Sequence, residues 1–163
     1  MGNDVAIEEL HADGLDELAP LWHSLREHHL AVAAEWFPEP HDAATSWQLR
    51  RRQYEHWLSE PDSFALVARS GERAVGYALV HVRGGSPTWR FGERAGEIET
   101  LSVLPEERGR GIGRQLLAAV CDRLESVGAS EVSLHSLCGN LDAERFYGRT
   151  GFRPFAVWMT RRL

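Results

Sequence analysis

Three glycines at every second position, Gly109, Gly111 and Gly113, stand among Arg108, Arg110 and Arg114. Glycine takes positive φ and lets a backbone approach a ligand closely. Successive amides in such a turn make a concave anion site, and guanidinium groups beside it add charge-assisted hydrogen bonds. These residue types at this spacing point to a phosphate group. The chain has no lysine, which removes the Gly-Lys-Ser/Thr of a nucleotide P-loop. Arg114 occupies the third glycine position of G-x-G-x-x-G, so the dinucleotide fingerprint fails as well. Upstream, Glu97 and Glu99 are two residues apart. On a strand they share a face, where a carboxylate either takes a proton from a nucleophile or anchors a cation.

A strand, a turn and a helix must hold these groups. Residues 97–104 alternate, with Glu97, Glu99, Leu101 and Val103 on one face and Ile98, Thr100, Ser102 and Leu104 on the other. Pro105 ends the strand. After the glycines, Ile112, Leu116, Leu117, Val120, Leu124 and Val127 form an apolar stripe at helical spacing. The start of that helix adds the positive end of its dipole to the loop. Upstream, residues 4–10 read as a strand and Asp13 is placed to cap a helix to about residue 33. Thr45 or Ser46 starts a second helix to about residue 59. Residues 63–70 and 73–82 form a hairpin turned at Gly71 and Glu72, and 83–96 are a polar, glycine-containing connection. Downstream, 131–137 read as a strand, Asn140 caps a short helix ended by Gly151, and 152–163 read as a closing strand or hairpin. The order β-α-α-β-β-β-α-β-α-β predicts an α/β fold, a mixed sheet with helices on both faces.

The 163 residues suit one domain spanning 1–163, and 43 % hydrophobic with 26 % charged residues is ordinary for a globular chain. No apolar run approaches a membrane span, and the start lacks a basic segment followed by an apolar one. Neither a membrane partner nor a signal peptide is expected. The net charge of −6 argues against nucleic acid and suits a cationic substrate. Cys121 and Cys138 have no metal-ligand spacing and read as reduced thiols of a cytoplasmic protein. All 18 basic residues are arginine, a composition of GC-rich bacterial genomes.

The run Arg108-x-x-Gly111-x-Gly113, set between strand, proline and amphipathic helix, resembles the acyl-CoA pyrophosphate loop of the GNAT superfamily of N-acyltransferases. Asn140-x-x-Ala143-x-x-Phe146-Tyr147-x-x-x-Gly151-Phe152 is similar to the helix after the fifth strand in the same enzymes. Together the matches cover residues 63–163. The resemblance implies the GNAT fold and acetyl-CoA as cosubstrate, lying between the diverging strands at 101–103 and 132–136. Leu101, Ser102 and Val103 would border the pantetheine arm, with the backbone of Leu101 and Val103 pairing to it like an added strand. Arg108, Gly109, Arg110, Gly111, Ile112, Gly113 and Arg114 would hold the pyrophosphate through backbone amides. Asn140 would contact the pantetheine side, and the Val103 amide would face the thioester oxygen. Glu97 matches the position of the base in some members, with Glu99 a near neighbour. A base is needed because an alkylamine is protonated near neutrality, with a pKa of about 10.4. Tyr147, a phenol of pKa about 10, would protonate a leaving thiolate of about 8.5.

The resemblance thus implies direct transfer from acetyl-CoA to a primary amine of a small molecule or peptide, without a covalent enzyme intermediate or a metal. A protein α-amine or lysine as acceptor stays open, as do a non-catalytic acyl-CoA sensor, a nucleotide-phosphate enzyme and a homodimer. Trp22, Trp47, Tyr54 and Trp57 at helical spacings read as core. Trp89 and Phe91, in a loop, are candidates to line the acceptor site. His23 and Glu27 are i,i+4, but no third ligand is placed and no H-E-x-x-H occurs, so His23, Glu27 and His28 read as a solvated helix face, as does the run Arg50, Arg51 and Arg52.

Overall fold

The computed structural model describes residues 5–33, 37–90 and 92–161. One five-stranded sheet has the order β1-β2-β3-β4-β5. Its strands are β1 (Val5–Leu10), β2 (Phe64–Ser70), β3 (Arg73–Gly84), β4 (Arg94–Val103) and β5 (Glu131–Leu134). The first four pair antiparallel with their sequence neighbours, and β5 joins β4 in parallel. A parallel neighbour requires a crossover, which runs through α3 (Ile112–Ser126). Helices α1 (Ala19–Val32) and α2 (Ala43–Leu58) cover one face of the sheet, and α4 (Leu141–Arg149) follows β5.

Each face has its own core. Leu15, Leu18, Leu21, Trp22, Trp47 and Tyr54 pack against Val67, Tyr77 and Leu79 on the α1/α2 face. On the other face Ile112, Leu116, Leu117, Val120 and Leu124 of the expected α3 stripe pack against Phe64, Leu66, Ala78, Val80 and Ile98, while Val127 lies past the last turn as the C-cap.

Several boundaries differ from the sequence reading: β3 runs on to Gly84 and β4 starts at Arg94, within the expected 83–96 connection, and β5 ends at Leu134 instead of residue 137. Asp13 is not a cap: Ala12–Leu18 form a 3-10 segment, and α1 begins after it with Pro20 in its first turn, where a missing N–H costs no helix hydrogen bond. The second helix starts ahead of Thr45, because the Asp42 carboxylate accepts from the Thr45 amide at 3.0 Å. Residues 152–161 form no strand; Phe155, Val157, Trp158 and Met159 are exposed, so their alternation marks no buried face. The last two residues of that expected strand lie outside the described residues.

Candidate functional site

The site begins with an irregularity in β4. Leu79 lies opposite Thr100, but Val80 lies opposite Ile98. Glu99 is therefore an extra residue, a β-bulge. One inserted residue reverses the alternation of side chains. This corrects the single-face reading: Glu97 and Glu99 do not share a face with Leu101 and Val103. Ile98, Leu101 and Val103 belong to the α3 core. Glu97 lies opposite His81, and His81 stacks on Trp57 of α2, centroids 5.9 Å apart. The bulge brings Glu99 to the same side, its Oε1 3.8 Å from His81 Nδ1. The two glutamates thus stay together, on the α1/α2 face.

Their surroundings differ. Glu97 meets His135 Nδ1 at 3.0 Å and Arg83 Nε at 3.3 Å. Burial pushes the Glu99 carboxyl above the usual carboxylate range, and repulsion from Glu97 adds to it, while His81, Arg50 and His135 oppose the shift. Glu60 holds the other side of His81, with Oε2 2.7 Å from Nε2. Beneath the bulge, the Tyr54 hydroxyl lies 2.5 Å from Thr100 Oγ1 and 3.1 Å from the Tyr77 hydroxyl. Both tyrosines are fully buried, and that burial raises both phenols, so this hydroxyl chain is neutral. Sequence reasoning missed Glu60, His81 and the hydroxyl chain; a polar Thr100 on the strand face of Ile98 and Leu104 was its one local signal.

The next feature is a split in the sheet. β4 and β5 pair over Ala95–Ile98 and Glu131–Leu134, yet β4 runs on to Val103. Among the described residues no strand pairs with the β5-facing edge beyond Ile98, and an edge without a strand partner is of the kind that accepts an extended arm as an added strand. The glycine loop follows a short 3-10 turn, Pro105–Glu107. Gly109 and Gly111 have φ of 76° and 84°, which disfavour any side chain, and nothing lies within 4 Å of where a Cβ would stand. Backbone and open space are thus both shaped for a ligand. Gly111 caps α3 with no side-chain hydrogen bond, so the first-turn amides have no intrahelical partner. These features fit a pyrophosphate.

Within the loop the predicted residues divide. Arg108 Nε donates to the Val103 carbonyl at 3.1 Å, tying loop to strand. Arg110 pairs with Glu107, and Arg114 is exposed on the first turn. Ile112 is buried core. A Cβ at Gly113 would stand 3.4 Å from Phe146 Cζ, an ordinary contact, so this position faces α4 without requiring glycine. Asn140 is buried, and its Oδ1 accepts from the Ala143 amide at 3.4 Å and lies 3.3 Å from His28 Nε2. That oxygen is committed to capping α4. Tyr147 sits between Phe146 and Phe152, with centroids 5.2 and 5.6 Å away. Burial pushes its phenol up to about 12, and its hydroxyl has no hydrogen-bond partner among the described residues.

The arginine run of α2 is not a uniform solvated surface. Arg50 lies 4.8 Å from the Trp22 ring centroid and 5.7 Å from that of Tyr54, and Arg51 pairs with Asp16 and Glu55. Trp22, Trp47 and Tyr54 are core as expected. Trp89 is exposed, and Phe91 lies outside the described residues.

The profile of the Acetyltransferase (GNAT) family matches residues 22–152, spanning the split strands, the glycine loop and α4. The chain belongs to this family. A mycothiol acetyltransferase of Thermobispora bispora is 35 % identical over 133 residues, 78 % of this chain and 43 % of that protein. Another, of Actinosynnema mirum, is 32 % identical over 122 residues, 75 % of this chain and 38 % of that protein. The chain spans less than half the length of these relatives. An aminoglycoside N-acetyltransferase in complex with CoA has a TM-score of 0.72 at 20 % identity, covering 100 % of this chain and 97 % of that one. The five-stranded mixed sheet and its helices are therefore the GNAT fold.

Proposed function

We propose that the protein is an N-acetyltransferase that moves an acetyl group from acetyl-CoA directly to a primary amine of a small molecule. The observation that carries this is the parting of β4 from β5 after Ile98, beside a positive-φ glycine loop at an uncapped helix start. Amides of residues 109–114 would hold the pyrophosphate, with the backbone at Leu101 and Val103, on either side of Ser102, taking the arm and the Asn140 side chain assisting. The Val103 amide would receive the oxyanion. Small-molecule acceptors are supported by the names of the relatives, which are bacterial, and two free thiols fit a reducing cytoplasm.

The site chemistry supports Glu99, rather than Glu97, as the proton acceptor. Its carboxyl is raised and has no guanidinium partner within ion-pair distance among the described residues, whereas Glu97 is held by Arg83 and His135. In the reaction a C–N bond forms and the C–S bond breaks. The amine proton passes to Glu99, and Tyr147 donates to the leaving sulfur. A phenol at about 12 keeps its proton at neutral pH, and the same dry surroundings raise the thiol it must protonate. Calorimetric titration with acetyl-CoA, followed by thiol release across an amine panel, tests the proposal. Binding with turnover of at least one amine is expected; a folded protein that does not bind acetyl-CoA would overturn it.

A further inference from the structure

Three arginines around the α1/α2 face are paired with carboxylates: Arg51 with Asp16 and Glu55, Arg69 with Glu8 and Glu17, Arg83 with Glu97. Arg26 donates to the His41 carbonyl and Arg52 is exposed, whereas Arg50 is partly buried against aromatic rings. Among the described residues no carboxylate lies within ion-pair distance of it, although the chain carries a net charge of −6. Its guanidinium lies against the Trp22 and Tyr54 rings, partly buried between α1 and α2. Its charge lowers both His29 on α1 and Glu99 on β4, so its field reaches the bulge. Arg50 also lines a recess of 190 Å³ with Trp22, His41, Ser46, Leu49 and Gln53. That lining offers a cation, a hydroxyl and an amide, and no carboxylate. On the sheet side of Tyr54 the charge is reversed: Glu60, Glu97 and Glu99 gather there. A partly buried cation without a counter-ion is costly unless a ligand supplies one.

We infer that the acceptor amine carries a carboxylate, which Arg50 binds in the recess between α1 and α2 while the amine faces Glu99. This rests on the acetyltransferase reading and narrows it to a zwitterionic acceptor such as an amino acid or a short peptide. The bland rival is that Arg50 merely joins α1 to α2 by stacking. Arg50→Met separates the two, because it keeps an unbranched stem on Trp22 and removes the charge.

The experiment compares kcat/KM for amino acids and dipeptides with their carboxamides, in the wild type, Arg50→Met and Arg50→Lys. The intrinsic difference in amine basicity cancels when the carboxylate-to-carboxamide ratio is compared between enzymes. Loss of one charged hydrogen-bonding partner should lower that ratio by about 10-fold or more in Arg50→Met. Arg50→Lys should restore part of it, acetyl-CoA affinity should hold in both variants, and the ratio is read on the pH plateau above the acid limb of each enzyme. An unchanged ratio in a folded Arg50→Met that still acetylates carboxamides overturns the carboxylate site alone. Absence of acetyl-CoA binding in the wild type overturns the acetyltransferase reading and this one with it.

Discussion

At the scale of residues, the tasks proposed for Glu97 and Glu99 follow from their different neighbours. A base works when deprotonated, so a carboxyl raised by burial and by Glu97 places the acid limb of kcat/KM above the ordinary carboxylate range. Glu97→Gln removes that repulsion and frees Arg83 and His135, so the limb should move to lower pH. Arg50→Met removes one of the cations that oppose the shift, beside His81 and His135, so the limb should move up. A limb that ignores both changes would remove Glu99 from the role of base. Glu99→Gln itself should cost about 10²–10⁴-fold in kcat. Tyr147→Phe makes a separate test on the leaving-group side. The hydroxyl bonds no described residue, so the substitution should leave thermal stability and acetyl-CoA affinity near wild type. Loss of a proton donor should lower kcat by about 10²–10⁴-fold; a wild-type kcat would leave the sulfur to be protonated by water or substrate.

At the scale of elements, the loop and the bulge make distinct predictions. Gly111→Ala forces a side chain into φ of 84° and should cost about 1–2 kcal/mol of stability, while nothing within 4 Å obstructs the methyl itself. Gly111→Asp carries the same strain and adds an anion to the phosphate site. Calorimetry should show the Asp variant losing acetyl-CoA affinity well beyond the Ala variant, and equal affinities would refute an anion site there. Thr100→Val withdraws Oγ1 from Tyr54, and should cost about 1 kcal/mol in denaturant unfolding. Some of this was legible in the sequence. The α3 stripe and glycine loop were readable because helical period and glycine chemistry are local, as was the Asn140 cap. The bulge was not, because residues 97–104 alternate without a break and the insertion exists only against the register of β3. Arg50, Arg51 and Arg52 look alike in the chain, and only the packing of α1 on α2 tells them apart. The alternation of 152–161 misled for the opposite reason: the period is present but no strand pairs with it.

At the scale of the molecule, the sheet divides two cores, and α3 is the crossover that fixes β5 beside β4. Leu116 is fully buried in that crossover, so Leu116→Ala should cost about 2–5 kcal/mol and weaken acetyl-CoA binding with it, since the same helix presents the loop amides. Retained affinity in a destabilised variant would uncouple helix seating from the loop. The parting of β4 from β5 has one more consequence, in the traffic of the chain with its own copies. An unpaired strand edge is a template for aggregation, and here a cosubstrate would cover it. A ligand that binds the folded state alone stabilises it by mass action, about 2.7 kcal/mol at 100 times its dissociation constant. The cellular supply of acetyl-CoA would then govern how long this chain persists as a separate folded molecule, and starvation for it would open the seam at which copies stick together.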